Sequence, residues 1–167
     1  MLVLGLDPGT ATTGYGFIQS TADGRVTAVD YGVILTPAKT PLAERLQMLY
    51  DRLRALLDRY HPDGAAVEKL FFQKNVTTAM SVGQARGVLL LALAQAGLRV
   101  AEYTPNEIKE AVTGYGSAGK AQMQRMVQML LALEAPPRPD DAADALAVAL
   151  CHAQHLRWQN HLTERQR

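Results

Sequence analysis

Leu2-Val3-Leu4-Gly5-Leu6-Asp7-Pro8-Gly9 is a short apolar run that ends on a carboxylate and a turn. Its length and flanking Pro-Gly suit a buried strand better than a helix. Gly64-Ala65-Ala66-Val67-Glu68 repeats the device, a small apolar run closed by an acid. Neither run contains a lysine or arginine that could pair with Asp7 or Glu68. A carboxylate drawn into a sheet without a cation is costly in its charged form. A third acidic site, Asp141 and Asp144, opens an Ala/Leu-rich segment far along the chain. Acids at strand ends, met by others from a remote segment, are most economically explained as ligands for hard divalent cations.

Outward from the first run, residues 14–18 and 25–35 read as two more strands. Asp23-Gly24 supplies the tight turn of an antiparallel hairpin between them. The period then becomes helical. Leu42, Leu46, Leu49, Leu53, Leu56, Leu57 and Tyr60 recur at three- and four-residue steps, with Pro41 at the start and Pro62 as a stop. Residues 64–68 return to strand. A long helix over 77–96 ends at Gly97, and a strand follows over 98–103. A short helix over 105–112, a glycine-rich loop over 114–119 and a helix over 120–133 come next. Pro136, Pro137 and Pro139 then break the chain before a last helix over 141–158.

This order predicts an α/β fold: a mixed five-stranded sheet, three antiparallel strands followed by parallel ones, flanked by helices. A chain of 167 residues is expected to form one domain, here 1–158, with a polar tail over 159–167 expected to fray. The lone Cys151 lies in an apolar helical pattern, which suits a reducing, cytoplasmic setting. The first apolar run has no basic flank and is not read as a secretory leader. The longest apolar stretch, 88–94, is far short of a membrane span. A formal net charge of +1 does not announce a nucleic-acid partner. Gathering four acids onto cations would leave the remaining surface more basic than that sum.

In such a sheet the first and fourth strands are neighbours, which puts Asp7 and Glu68 at one edge. The last helix would lay Asp141 and Asp144, three residues apart, across that edge. Four carboxylates so placed repel one another unless cations intervene. Two divalent ions about 4 Å apart clamp the attacking and leaving oxygens of a phosphoryl transfer. Each acid also has a plainer reading: Asp7 as a turn residue, Asp140 or Asp141 as a helix N-cap, Asp144 as a solvated first-turn acid. Asp140 shares a face with Asp144 at four-residue spacing, so spacing alone leaves Asp140 and Asp141 as alternatives.

With these residues in hand, the sequence resembles the RuvC family of Holliday-junction resolvases. The resemblance is carried by LGLDPGTATTGYG, AAVEKLFFQKN, TPNEIKEAVTGYGSAGK, KAQMQRMVQMLL and DDAADALAVALCHA, in family order. It implies the ribonuclease H-like fold and a Mg²⁺-dependent endonuclease that nicks four-way DNA junctions symmetrically as a homodimer. It implies two Mg²⁺ per site, with Mn²⁺ as a substitute, ligated by Asp7, Glu68, Asp141 and Asp144, and so favours Asp141 over Asp140. It implies phosphate-holding roles for Lys109 and Lys120, a base-stacking role for Phe71, and a RuvA–RuvB branch-migration complex as partner. Lys69, directly after Glu68, and Met123 depart mildly from the family pattern.

Read without the resemblance, a lysine offers a point charge to a phosphate, and an exposed aromatic at Phe71 or Phe72 can stack on an unpaired base. Lys74 and Asn75 are candidate DNA-backbone contacts. Arg86, between Gly83 and Gly87, is a candidate DNA or subunit contact, and the two glycines permit close approach of another helix.

Two rival readings fail on the residues themselves. Gly114 to Lys120 has the spacing of a phosphate-binding P-loop, but Ala121 replaces the required Ser or Thr and a helix precedes the loop. Asp7-Pro8-Gly9-Thr10 fits the first phosphate loop of actin-like kinases, which need two such domains. A junction-binding protein without catalysis would have no use for four intact acids. His152 is expected to be a core or edge residue.

Overall fold

The computed structural model describes residues 1–21, 23–70 and 76–164. The elements are β1 (Leu2–Asp7), β2 (Thr12–Ser20), β3 (Val26–Leu35), α1 (Leu42–Tyr60) and β4 (Gly64–Glu68). They continue as α2 (Val76–Gln95), β5 (Val100–Tyr103), α3 (Pro105–Thr113), α4 (Lys120–Leu130) and α5 (Asp140–Glu164). The sheet order is β3-β2-β1-β4-β5, antiparallel across β3, β2 and β1 and parallel from β1 through β4 to β5. This is the predicted mixed sheet.

Alternation along β1 divides the core in two. Val3 faces α5 within a cluster that holds Leu146, Leu150 and Val127. Leu4 and Leu6 face α1 and α2, packed with Phe17, Leu49, Leu53 and Leu89. Each fully buried Leu contributes about 1.5–3 kcal/mol, so both faces of the sheet help hold the strand whose end carries Asp7.

Helix α5 runs unusually close to the sheet because small residues meet there. A Cβ on Gly5 would sit 2.2 Å from the Ala145 carbonyl oxygen, and one on Gly14 would sit 1.9 Å from that of Asp141. The facing helix contributes buried Ala142, Ala145 and Ala149. No side chain fits between β1, β2 and the first turns of α5, so those turns lie directly on the sheet.

Two helix ends differ from the periodicity. Helix α4 stops at Leu130 rather than 133, because Ala132 takes a left-handed φ of 50° that a helix cannot continue through. Gln128 Nε2 donates to the carbonyls of Leu133 and Glu134 beyond the break. Helix α5 runs on to Glu164, past Trp158.

Candidate active site

Asp7 and Glu68 become neighbours through strand register. Leu6 lies opposite Val67 in the parallel pair, so the next residues along, Asp7 and Glu68, finish β1 and β4 side by side. The two carboxyls therefore meet at one edge of the sheet. Burial pushes the Asp7 carboxyl up to about 8, reinforced by the charges of Glu68, Asp144 and Asp141. Glu68 is also raised, by burial first and by Asp144, while Asp7 and Lys109 pull it the other way. Burial raises Asp144 as well, against the opposing charge of Lys120.

The acids from both strands and the helix therefore act on one another, and a raised Asp7 carboxyl that keeps its proton offsets part of their repulsion. Among the described residues, no three His, Cys, Asp or Glu side chains are already drawn into a formed metal site. The donor set is nonetheless all carboxylate oxygen, which fits a hard divalent cation and none of the softer ones.

A cavity of about 370 Å³ opens over these acids. Asp7, Glu68 and Asp144 line it together with Lys109 and Lys120, over apolar Ile108, Met123 and Ala147. Lys109 is held by α3, whose start is fixed by Pro105 and by the reciprocal bonds of Thr104 and Glu107. Lys120 opens α4, capped by Gly119. Acids and two lysines lining one cavity suit a phosphodiester: the cations attract its oxygens, and the acids need a counter-charge beside it.

The profile described as "Crossover junction endodeoxyribonuclease RuvC" matches residues 3–152. The chain belongs to the RuvC family. It is 56% identical to the crossover junction endodeoxyribonuclease RuvC of Heliobacterium modesticaldum, over 95% of this chain and 97% of that protein. It is 60% identical to that of Chloroflexus aggregans, over 92% and 93% of the two chains. Among solved structures, that of Thermus thermophilus RuvC in complex with a Holliday junction substrate superposes with a TM-score of 0.87. That pair is 34% identical and covers 95% of this chain and 96% of the other. The five-stranded order is thus the ribonuclease H-like arrangement of RuvC.

Of the predicted RuvC site residues, Asp7, Glu68, Asp144, Lys109 and Lys120 come together around the cavity. Asp141 lies beside Gly14, half-buried, and its charge bears on Asp7. Arg86 is elsewhere, paired with Glu102 of β5. Phe71, Phe72, Lys74 and Asn75 lie outside the described residues. Lys69 directs its charge toward Glu107, and it is Lys109 that bears on Glu68. His152 is buried, with its Nδ1 2.9 Å from the Tyr103 hydroxyl.

Sequence reasoning missed the surroundings of Lys120. Its Nζ lies 3.1 Å from Asp140 Oδ2 and 3.9 Å from Asp144 Oδ2. Gln124 and Arg138 donate to Asp140 Oδ1 at 2.8 and 3.2 Å. The four-residue spacing of Lys120 and Gln124 was a usable signal, since it puts both on one face of a helix.

Proposed function

We propose that this protein is a Holliday-junction resolvase that nicks opposite strands of four-way DNA junctions, leaving ligatable 5′-phosphate ends. The observation that carries the reading is Asp7, half-buried among Glu68, Asp141 and Asp144 and lining a cavity that Lys109 and Lys120 also line. Asp7, Glu68, Asp141 and Asp144 would hold two Mg²⁺, or Mn²⁺ in their place. Those ions, when bound, supply the charge that activates a water and stabilises the leaving 3′ oxygen. The chain's own part is to bind and orient. Lys109 and Lys120 hold the phosphates flanking the scissile bond, and the apolar floor of Ile108, Met123 and Ala147 limits the water around it. Phe71, with Lys74 and Asn75, is proposed to contact the junction centre. Arg86, committed to Glu102, is proposed to brace α2 against β5 rather than to reach DNA directly.

A four-way junction presents two equivalent strands, and a two-fold homodimer would present two sites to them. Helix α2 supplies a face for a second copy. Met80 and Leu91 are exposed at 65% and 54%, and between them a Cβ on Gly83 or Gly87 would meet no described atom within 4 Å. A RuvA–RuvB complex would deliver the junction, in the cytoplasm. Among the described residues no helix is long and apolar enough to cross a membrane.

The deciding experiment incubates the protein with a synthetic four-way junction and with a linear duplex, with and without Mg²⁺. Paired, religatable nicks confined to the junction and to the Mg²⁺ arm are expected. Equal cutting of the duplex would mark a general nuclease instead.

A further inference from the structure

Asp140 is the acid that the metal-site reading leaves without a task. Its position next to Asp141 suggests a helix cap, yet the first turn of α5 is closed by the Pro139 carbonyl, which accepts from Ala142 and Ala143. The Asp140 side chain turns instead toward α4. One oxygen, Oδ1, accepts from Gln124 Nε2 and from the Arg138 guanidinium. With that oxygen anchored from two sides, Oδ2 is left facing the Lys120 ammonium at 3.1 Å. Lys120 would otherwise swing freely: its side chain is 59% exposed, and a four-carbon stem samples many rotamers.

We propose that Asp140 is a positioning residue that holds the Lys120 ammonium at the mouth of the acidic cavity, where the scissile phosphate is received. The inference rests on the nuclease reading of that site. The contact orients Lys120 toward Asp144 before DNA arrives, so less of its freedom remains to be lost when a phosphate binds. Arg138 and Gln124 act one step further out, by fixing the carboxylate that does the holding.

The test measures single-turnover junction cleavage at saturating enzyme, and junction affinity without divalent cation. The proteins compared are wild type, Asp140→Asn, Lys120→Ala and the double variant. Asn keeps an acceptor for Gln124 and Arg138 but sets an amide NH₂ against Lys120. Asp140→Asn is expected to slow cleavage roughly three- to tenfold, with affinity unchanged or tighter because a negative charge has gone. In the Lys120→Ala background the same substitution should change the rate by less than about twofold. Gln124→Ala, which loosens the anchored oxygen and leaves both charges in place, should reproduce a smaller part of the loss. The proposal is overturned if Asp140→Asn slows cleavage equally with and without Lys120, leaves the rate unchanged, or weakens binding as much as it slows cutting. Wild type that cuts no junction in the same assay would instead refute the nuclease reading.

Discussion

Asp7 and Glu68 finish adjacent parallel strands, so two carboxyls meet at one edge of the sheet. Burial first, then the charges of Glu68 and Asp144, push the Asp7 carboxyl up to about 8. The unfolded chain gives up that proton near its ordinary value of 3.8. Between these values the folded state binds one proton more than the unfolded state, so the cation-free protein loses stability as pH rises. The slope is at most about 1.4 kcal/mol per pH unit, and the contribution, complete below about pH 4, is gone above about pH 8. Thermal melts in a chelator should show Asp7→Asn, which mimics the protonated acid, gaining on wild type from about pH 5 to 8. Mg²⁺ should narrow the gap by stabilising wild type and releasing a proton. A gap that does not vary with pH would place the proton elsewhere.

The same substitution separates binding from chemistry. Asp7→Asn keeps the shape of the strand end and removes a carboxylate that the proposed metal pair needs, so junction affinity should survive while cleavage falls by about 10²–10³-fold or more. Gel-shift and nicking assays on one synthetic junction read the two quantities. Retained cutting would rule out a metal scheme that depends on Asp7.

Lys120→Ala removes one of the two lysines that line the acidic cavity. Cleavage should weaken, and the slope of log affinity against log salt should become shallower by about one ion. A slope equal to wild type would mean that Lys120 does not reach the backbone.

Gly14 is where fold and site meet. Its Cβ position lies 1.9 Å from the Asp141 carbonyl oxygen, a backbone atom that cannot swing aside. Gly14→Ala must lift the first turn of α5 off the sheet, carrying Asp141 and Asp144 away from Asp7. A destabilisation of at least about 1–3 kcal/mol is expected, with cleavage lost even where the protein stays folded. Denaturant melts and the nicking assay would show it, and full activity would contradict the close approach of α5 to β2.

Much of this was legible because local and long-range signals agreed. The short apolar runs ending in Asp7 and Glu68 and the hairpin turn at Asp23-Gly24 mark the strands, and the mixed sheet has the order they imply. The Asp141–Asp144 spacing points to the helix whose charges act on Asp7, although spacing could not choose between Asp140 and Asp141. The spacing of Lys120 and Gln124 shows that they share a helix face, but that this face meets Asp140 is a tertiary relationship. The early end of α4 was hidden for a different reason: hydrophobic period continues through Leu131 and Leu133, while the backbone turns left-handed at Ala132. The pairing of Arg86 with Glu102 joins a helix to a strand and leaves no mark on either segment alone.

Gly83 and Gly87 pose the opposite problem to Gly14. A methyl at either would meet no described atom within 4 Å, so the folded protomer has room for it. Alanine is favoured over glycine inside a helix by about 1 kcal/mol, so Gly83→Ala and Gly87→Ala should leave the protomer as stable as wild type or more so. If the face bearing Met80 and Leu91 packs on a second copy, the added methyls would hold the two helices apart. Sedimentation should then show weaker self-association, and junction nicking should lose its pairing: single nicks accumulate when one protomer cuts without its partner. Unchanged sedimentation with both alanines present would move the subunit contact to another face.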